Sequence, residues 1–210
     1  MLADATLRAV ALAPGAWLMD GELVGTTFHA FDLLEVNGKN LRSQSYKARH
    51  LALANLIGDI ENGPVLVPAA YTATEKRRMM NQLKAANAEG VVFKELAAPY
   101  TAGRPASKGP QLKHKFYSTC SAVVGGINDK RSVSLKLLDL IDGWVNVGNC
   151  TIPPNKDIPL LDSIVEIRYL YAYKGGSLYQ PTYIGPRDDI EQTDCVLAQL
   201  KYKAEDEEEE

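Results

Sequence analysis

Long apolar runs are missing from this chain: no stretch approaches the roughly eighteen uninterrupted hydrophobic residues of a membrane-crossing helix. The opening residues, Met1 to Pro14, lack the basic start and long apolar core of a secretory signal. The expectation is therefore a cytoplasmic chain without a membrane partner. Cysteine and histidine are scarce as well. Cys120, Cys150 and Cys195 stand far apart with no Cys or His at ligand spacing, so neither a zinc site nor a disulfide framework is supported, and buried or idle thiols are expected. His29, His50 and His114 are equally scattered and mark no metal site. A surplus of charge is lacking too. The net charge is −3, yet residues 205–210 are all acidic, and without them the chain carries +3. Up to Tyr117 there are 14 basic against 10 acidic side chains, and from 118 to 204 there are 9 against 10. Such an excess is compatible with nucleic-acid binding but much weaker than in dedicated nucleic-acid-binding domains.

What is present is an ordinary globular composition, 46% hydrophobic and 23% charged over 210 residues, enough for one large domain or two small ones. Ala5 to Leu12 reads as a short helix stopped by Pro14-Gly15, and Trp17-Leu18-Met19 opens a strand that runs into Asp20-Gly21-Glu22. Thr27, His29 and Phe31 alternate with Phe28, Ala30 and Asp32 in a second strand, and Asn37-Gly38 supplies a turn that tolerates positive φ. Helical spacing begins at Ser45 and reaches Gly58. A second helix opens on a Thr72/Glu75 capping box and places Met79, Met80 and Leu83 on one apolar face, expected to be core. Val91–Phe93 and Gln111–Tyr117 read as strands separated by a long Gly/Pro/Ser/Lys loop from Pro99 to Pro110. Beyond Ser118, short strands at 122–125, 133–138, 144–147 and 164–170 suggest a small antiparallel barrel.

Residues two apart on a strand share a face, so Lys113 and Lys115 should point together with His114 opposite. Two ammonium groups facing one cavity ask for an anion between them. A phosphate fits, and Glu22 and Glu89 are carboxylates suited to the Mg²⁺ that accompanies it. Taken singly, each of these is more often an edge-strand solubility device or a turn.

Their order is more specific. Asp20-Gly21-Glu22-Leu23-Val24, Phe28-His29-Ala30-Phe31-Asp32-Leu33-Leu34, Glu89-Gly90-Val91-Val92-Phe93-Lys94 and Leu112-Lys113-His114-Lys115-Phe116 resemble successive nucleotidyltransferase motifs of ATP-dependent DNA ligases. Residues 119–203 resemble the oligonucleotide-binding (OB) barrel that follows in that family. The resemblance implies an α+β fold: a partial nucleotidyltransferase domain of ATP-grasp-like ligase type over residues 1–117, with antiparallel sheets and helices. A small all-β OB-fold barrel would follow over 118–203, and a disordered acidic tail over 204–210. It implies that Glu22 lies near the AMP ribose, that Phe31 stacks on adenine with Lys94 also at the nucleotide, and that Glu89, with Glu22, holds Mg²⁺. Lys113 and Lys115 would contact the α-phosphate, with Lys113, Lys115 and Glu89 as the catalytic set. Arg187 and Lys108 would face DNA. The chemistry of the residues agrees, since an aromatic face suits a purine and paired lysines neutralise charge on a phosphorus undergoing displacement. For Phe31 a core position is the competing reading.

Two departures from the family pattern stand out. The family's nucleophilic lysine lies in Lys-x-Asp-Gly, whereas the two Asp-Gly pairs here, Asp20-Gly21 and Asp142-Gly143, are preceded two residues earlier by Leu18 and Leu140. Near the C-terminus Arg187-Asp188-Asp189-Ile190 has Ile190 where the family's Arg-x-Asp-Lys motif ends in lysine. The resemblance thus implies a chain that begins inside the domain and does not adenylate itself. It would still use ATP or AMP chemistry and Mg²⁺ on nicked duplex DNA, as a nucleoid-associated monomer, with a complementing N-terminal ligase fragment as a second partner. Three alternatives stay open: an RNA ligase, a capping-type guanylyltransferase, or a non-catalytic nicked-DNA-binding module that offers Tyr169, Tyr171, Tyr173 and Tyr179 as stacking faces.

Overall fold

The computed structural model describes residues 1–13, 15–58, 60–103 and 109–204. Their contacts divide into two units, residues 1–77 with 92–114, and residues 78–91 with 115 onward.

In the first unit, α1 (Asp4–Leu12) precedes a hairpin of β1 (Trp17–Val24) and β2 (Thr27–Val36). Its two-residue turn has Gly25 at φ +58 in the first central position, which turns of this length favour. Two register shifts interrupt the pairing: Asp20 faces Asp32 while Gly21 faces Ala30, so Phe31 is the extra residue of a β-bulge. Gly21 is required at this point, because a Cβ there would lie 2.5 Å from the carbonyl oxygen of His29 and 2.5 Å from the Phe28 ring. The glycine of Asp20-Gly21-Glu22 is thus a packing residue of the bulged hairpin. On the other side of β2 lie β3 (Lys39–Asn40), reached through Asn37 at φ 49 and Gly38 at φ 76, and β4 (Val65–Leu66), which runs parallel to β2.

Helix α2 (Tyr46–Gly58) packs on β2, where its Leu53 joins Ala30, Leu33 and Leu41 in a small buried core. Helix α3 (Ala73–Ala85) begins with the expected capping pair: Glu75 N–H donates to Thr72 Oγ1 (3.2 Å) and Thr72 N–H to Glu75 Oε2 (2.8 Å). The expectation that its apolar face is core is not met. Met79, Met80 and Leu83 are only half-buried, and none of its side chains is fully covered. Strands β5 (Gly90–Lys94) and β6 (Gln111–Lys115) pair in a two-stranded sheet. β6 stops at Lys115, two residues short of the expected end at Tyr117.

The second unit contains a five-stranded antiparallel sheet in the order β13-β10-β7-β8-β9. Its strands are β7 (Ser118–Asn128), β8 (Ser132–Asp139), β9 (Gly143–Thr151), β10 (Ile164–Tyr169) and β13 (Thr182–Arg187). Between the last two sits a short hairpin of β11 (Tyr171–Ala172) and β12 (Leu178–Tyr179). The outer strands β9 and β13 approach each other, so the sheet curls on itself as an OB barrel. Period-two burial drives this: Val133, Leu135 and Leu137 of β8 are fully covered while the residues between them are not. Cys120, Cys150 and Cys195 are free thiols inside this core, as expected. Among the described residues no helix is long and apolar enough to cross a membrane.

Candidate nucleotide site

The bulge at Phe31 breaks the plain alternation of β2, after which Asp32, Leu33 and Leu34 are buried in succession. Bulges commonly redirect a side chain in this way. Phe31 is half-buried, Asp32 is fully buried, and the Phe31 carbonyl accepts a hydrogen bond from the Tyr46 hydroxyl at the start of α2 (3.2 Å). A fully buried carboxylate needs partners. Asp32 has Arg49, whose Nε and Nη2 reach its two oxygens at 2.8 and 2.9 Å in a bidentate pair, and Lys94, whose Nζ lies 3.8 Å from Oδ2.

Arg49 is itself only 2% exposed and spends its remaining donor on the carbonyls of Gln44 and Ala98. It also lies over the rings of Tyr46 (5.7 Å) and Tyr100 (5.8 Å), and the Tyr100 hydroxyl donates to Asp20 Oδ2 at 3.3 Å. One guanidinium thereby ties α2, β2 and the 96–100 segment together. Lys94, at the end of β5, places its ammonium 4.7 Å from the centre of the Phe31 ring and 4.4 Å from that of Tyr46. Burial lowers the Lys94 pKa, against the opposing pull of Asp32 and Asp20. Burial first, and then the Asp32 carboxylate, push the Tyr46 hydroxyl up.

Of the residues singled out from sequence, the first unit thus brings Phe31 and Lys94 into contact. Glu22 is on β1, exposed and paired across the hairpin with His29. Lys113 is exposed on β6, and His114 on the same strand lies 6.5 Å, ring to ring, from Phe93 of β5.

Glu89, Lys115 and Arg187 belong to the second unit. Glu89 is exposed after the turn at Asn87 (φ 53), and its carbonyl accepts from Phe116 N–H at 2.8 Å. Lys115 Nζ donates to Gln180 Oε1 at 3.3 Å. Lys201 Nζ donates to the Phe116 carbonyl at 2.9 Å, and burial lowers its pKa although Glu89 acts the other way. Arg187 lies in an ion-pair network of the barrel itself: Nε and Nη2 clasp Asp189 (2.8 and 2.6 Å), and Nη1 reaches Glu166 Oε2 and Ser121 Oγ at 3.1 Å each. Lys108 and residues 205–210 of the acidic tail lie outside the described residues. Of the four tyrosines offered as stacking faces, Tyr169 and Tyr171 are buried, and Tyr169 Oη accepts from Lys201 N–H. Tyr173 is 43% exposed.

Sequence reasoning passed over Asp32, Tyr46, Arg49 and Tyr100. One signal was available: Arg49 precedes buried Leu53 by four residues, so an arginine falls on the core-facing side of α2 and calls for a buried partner.

Residues 18–115 match the family model of the ATP dependent DNA ligase domain. A probable DNA ligase of Streptomyces griseus is 38% identical over 87 residues, which are 40% of this chain and 17% of that protein. A DNA ligase of Halorubrum lacusprofundi is 36% identical over 109 residues, 50% of this chain and again 17% of that protein. The aligned part thus spans less than a fifth of each relative. Among solved structures, a Lig E DNA ligase aligns at TM-score 0.55 and 21% identity over 77% of this chain and 63% of its own. The chain Pmar-Lig_PreS3 aligns at TM-score 0.60 and 17% identity over 86% of this chain and 53% of its own. The class defined by fold and motifs is that of a ligase nucleotidyltransferase segment followed by an OB barrel. Residues 18–115 are thus similar in sequence to the ATP-dependent DNA ligase domain.

Proposed function

We propose that the chain is a DNA-ligase-derived polypeptide that joins nicks in duplex DNA whose 5′-phosphate is already adenylated, and that it does not adenylate itself. The observation that carries this reading is the match of residues 18–115, whose four motif segments fall on two strand pairs, β1 with β2 and β5 with β6, or at their ends. No Lys-x-Asp-Gly occurs in the sequence, which removes the amine that would attack ATP.

Phe31 offers a half-buried ring to adenine, and Glu22 the ribose contact. Among the described residues no three His, Cys, Asp or Glu side chains cluster. Mg²⁺ usually takes one or two carboxylates together with substrate phosphates and keeps several waters, so exposed Glu89 and exposed Glu22 are each carboxylates of the kind it takes. Bound there, the metal would supply charge neutralisation at the phosphates. Lys113 and Lys115 hold the phosphate oxygens. In the joining step the 3′-hydroxyl oxygen forms a bond to the 5′-phosphorus, the bond from that phosphorus to AMP's phosphate oxygen breaks, AMP leaves, and the hydroxyl proton passes to solvent.

The test is incubation with a nicked duplex carrying a 5′-adenylate, without ATP, in Mg²⁺, beside a Glu89→Ala control. Joined product that disappears in the control is the expected result. Binding of the nick without joining would instead support a non-catalytic module, and joining of nicked RNA alone an RNA ligase.

A further inference from the structure

Lys94 was expected among the nucleotide-binding residues, but its position in the first unit gives it a different part. Its ammonium lies against the Phe31 ring at 4.7 Å and against Tyr46 at 4.4 Å, with Asp32 Oδ2 at 3.8 Å. The side chain is only 11% exposed. Two aromatic faces and a carboxylate make a good box for a cation, each ring contributing through its quadrupole. The box is filled by the chain's own lysine. A stacked purine needs the same van der Waals layer above Phe31, so ammonium and base cannot share that face.

We propose that Lys94 sets the nucleotide affinity of this site by competition, covering the face of Phe31 that a purine must use and leaving it when the nucleotide binds. This rests on the nucleotide reading given above. Asp32 keeps its bidentate partner Arg49 when Lys94 leaves, so the displacement does not strand a buried charge. A displaced ammonium on a long stem is also free to follow the anionic part of the incoming nucleotide.

Two measurements decide it. ATP affinity by titration calorimetry is expected to rise roughly 5- to 30-fold in Lys94→Ala, the loss of a desolvated cation–aromatic contact. Lys94→Arg, which keeps a cation over the ring, should bind no tighter than the parent chain. Equal or weaker binding by Lys94→Ala, with its unfolding transition intact, overturns the competition and makes Lys94 an ordinary ligand contact. No ATP binding by any of the three removes the nucleotide reading itself, and the proposal with it. The second measurement needs no variant: acylation of Lys94 by an amine-reactive ester, followed by mass spectrometry, should be slow in the free chain and faster with ATP. Slower or unchanged labelling with ATP also overturns the proposal.

Discussion

Each unit has an interior of its own chemistry. Among the described residues, nineteen buried apolar side chains form the core of the barrel, whereas four form that of the first unit. Beside its small apolar core, the first unit buries Asp32 and Arg49, ringed by Tyr46, Tyr100, Phe31 and Lys94. A hydrophobic core tolerates exchange among shapes of similar volume, while a buried ion pair is intolerant of losing one member. The barrel is thus built for stability, and the first unit holds a few side chains in fixed directions around Phe31.

The largest expected effect tests that contrast. Arg49→Met leaves the Asp32 carboxylate buried without its bidentate partner and should cost about 3–5 kcal/mol in the first unit. The two tryptophans allow a clean reading, because Trp17 lies in the first unit and Trp144 in the second. Urea unfolding followed through Trp17, in a Trp144→Phe background, should shift strongly; followed through Trp144, in a Trp17→Phe background, it should shift little. The double change Asp32→Leu with Arg49→Met should recover most of the loss. If the single variant unfolds at the parent's midpoint, the ion pair is not what fixes the site.

The matching change in the barrel is Leu135→Ala, at a fully buried position of β8. A cavity there should cost about 2–5 kcal/mol. The three thiols report on it, since all lie in this core, and burial pushes Cys120 up to about 12 and Cys195 up to about 11. Alkylation at neutral pH should be slow in the parent chain and in Arg49→Met, and fast in Leu135→Ala at moderate urea. Fast alkylation in Arg49→Met would mean that the two units do not unfold separately.

The same contrast explains what the sequence reveals. Period-two burial and turn residues are local signals, and they locate β7 to β10 and the Asn37-Gly38 turn. The motif order likewise marks Glu22, Phe31, Glu89, Lys113 and Lys115 as candidates, because each stands in a short contiguous segment. The Asp32–Arg49–Lys94 cluster is not local: it joins residues 17 and 62 positions from Asp32, and a bulge at Phe31 shifts the strand that carries it. A bulge adds one residue without any compositional mark beyond the nearby Gly21, so strict alternation misplaces Phe31 relative to its neighbours. For α3 the apolar stripe was visible, but periodicity does not say how deeply a stripe is covered.

The smallest expected effect lies at the ion pairs of the barrel. Burial would raise the Glu166 pKa, but hydrogen bonds from Thr119 and Ser121, and Arg187 through both a hydrogen bond and its charge, outweigh it and hold the carboxyl below its usual value. A carboxylate whose pKa is depressed by folding contributes stability above its unfolded pKa and loses that contribution as pH falls through the folded one. Asp189 behaves alike, held down chiefly by its hydrogen bond from Arg187. Glu166 is partly solvated, so its contribution should be about 1 kcal/mol or less. Barrel stability followed through Trp144 should therefore decline on acidification below the ordinary carboxylate range, and Glu166→Gln should flatten that decline. A Glu166→Gln chain with the parent's pH profile would show that Arg187 is not stabilising the barrel through this carboxylate, leaving Asp189 as the partner that holds its guanidinium.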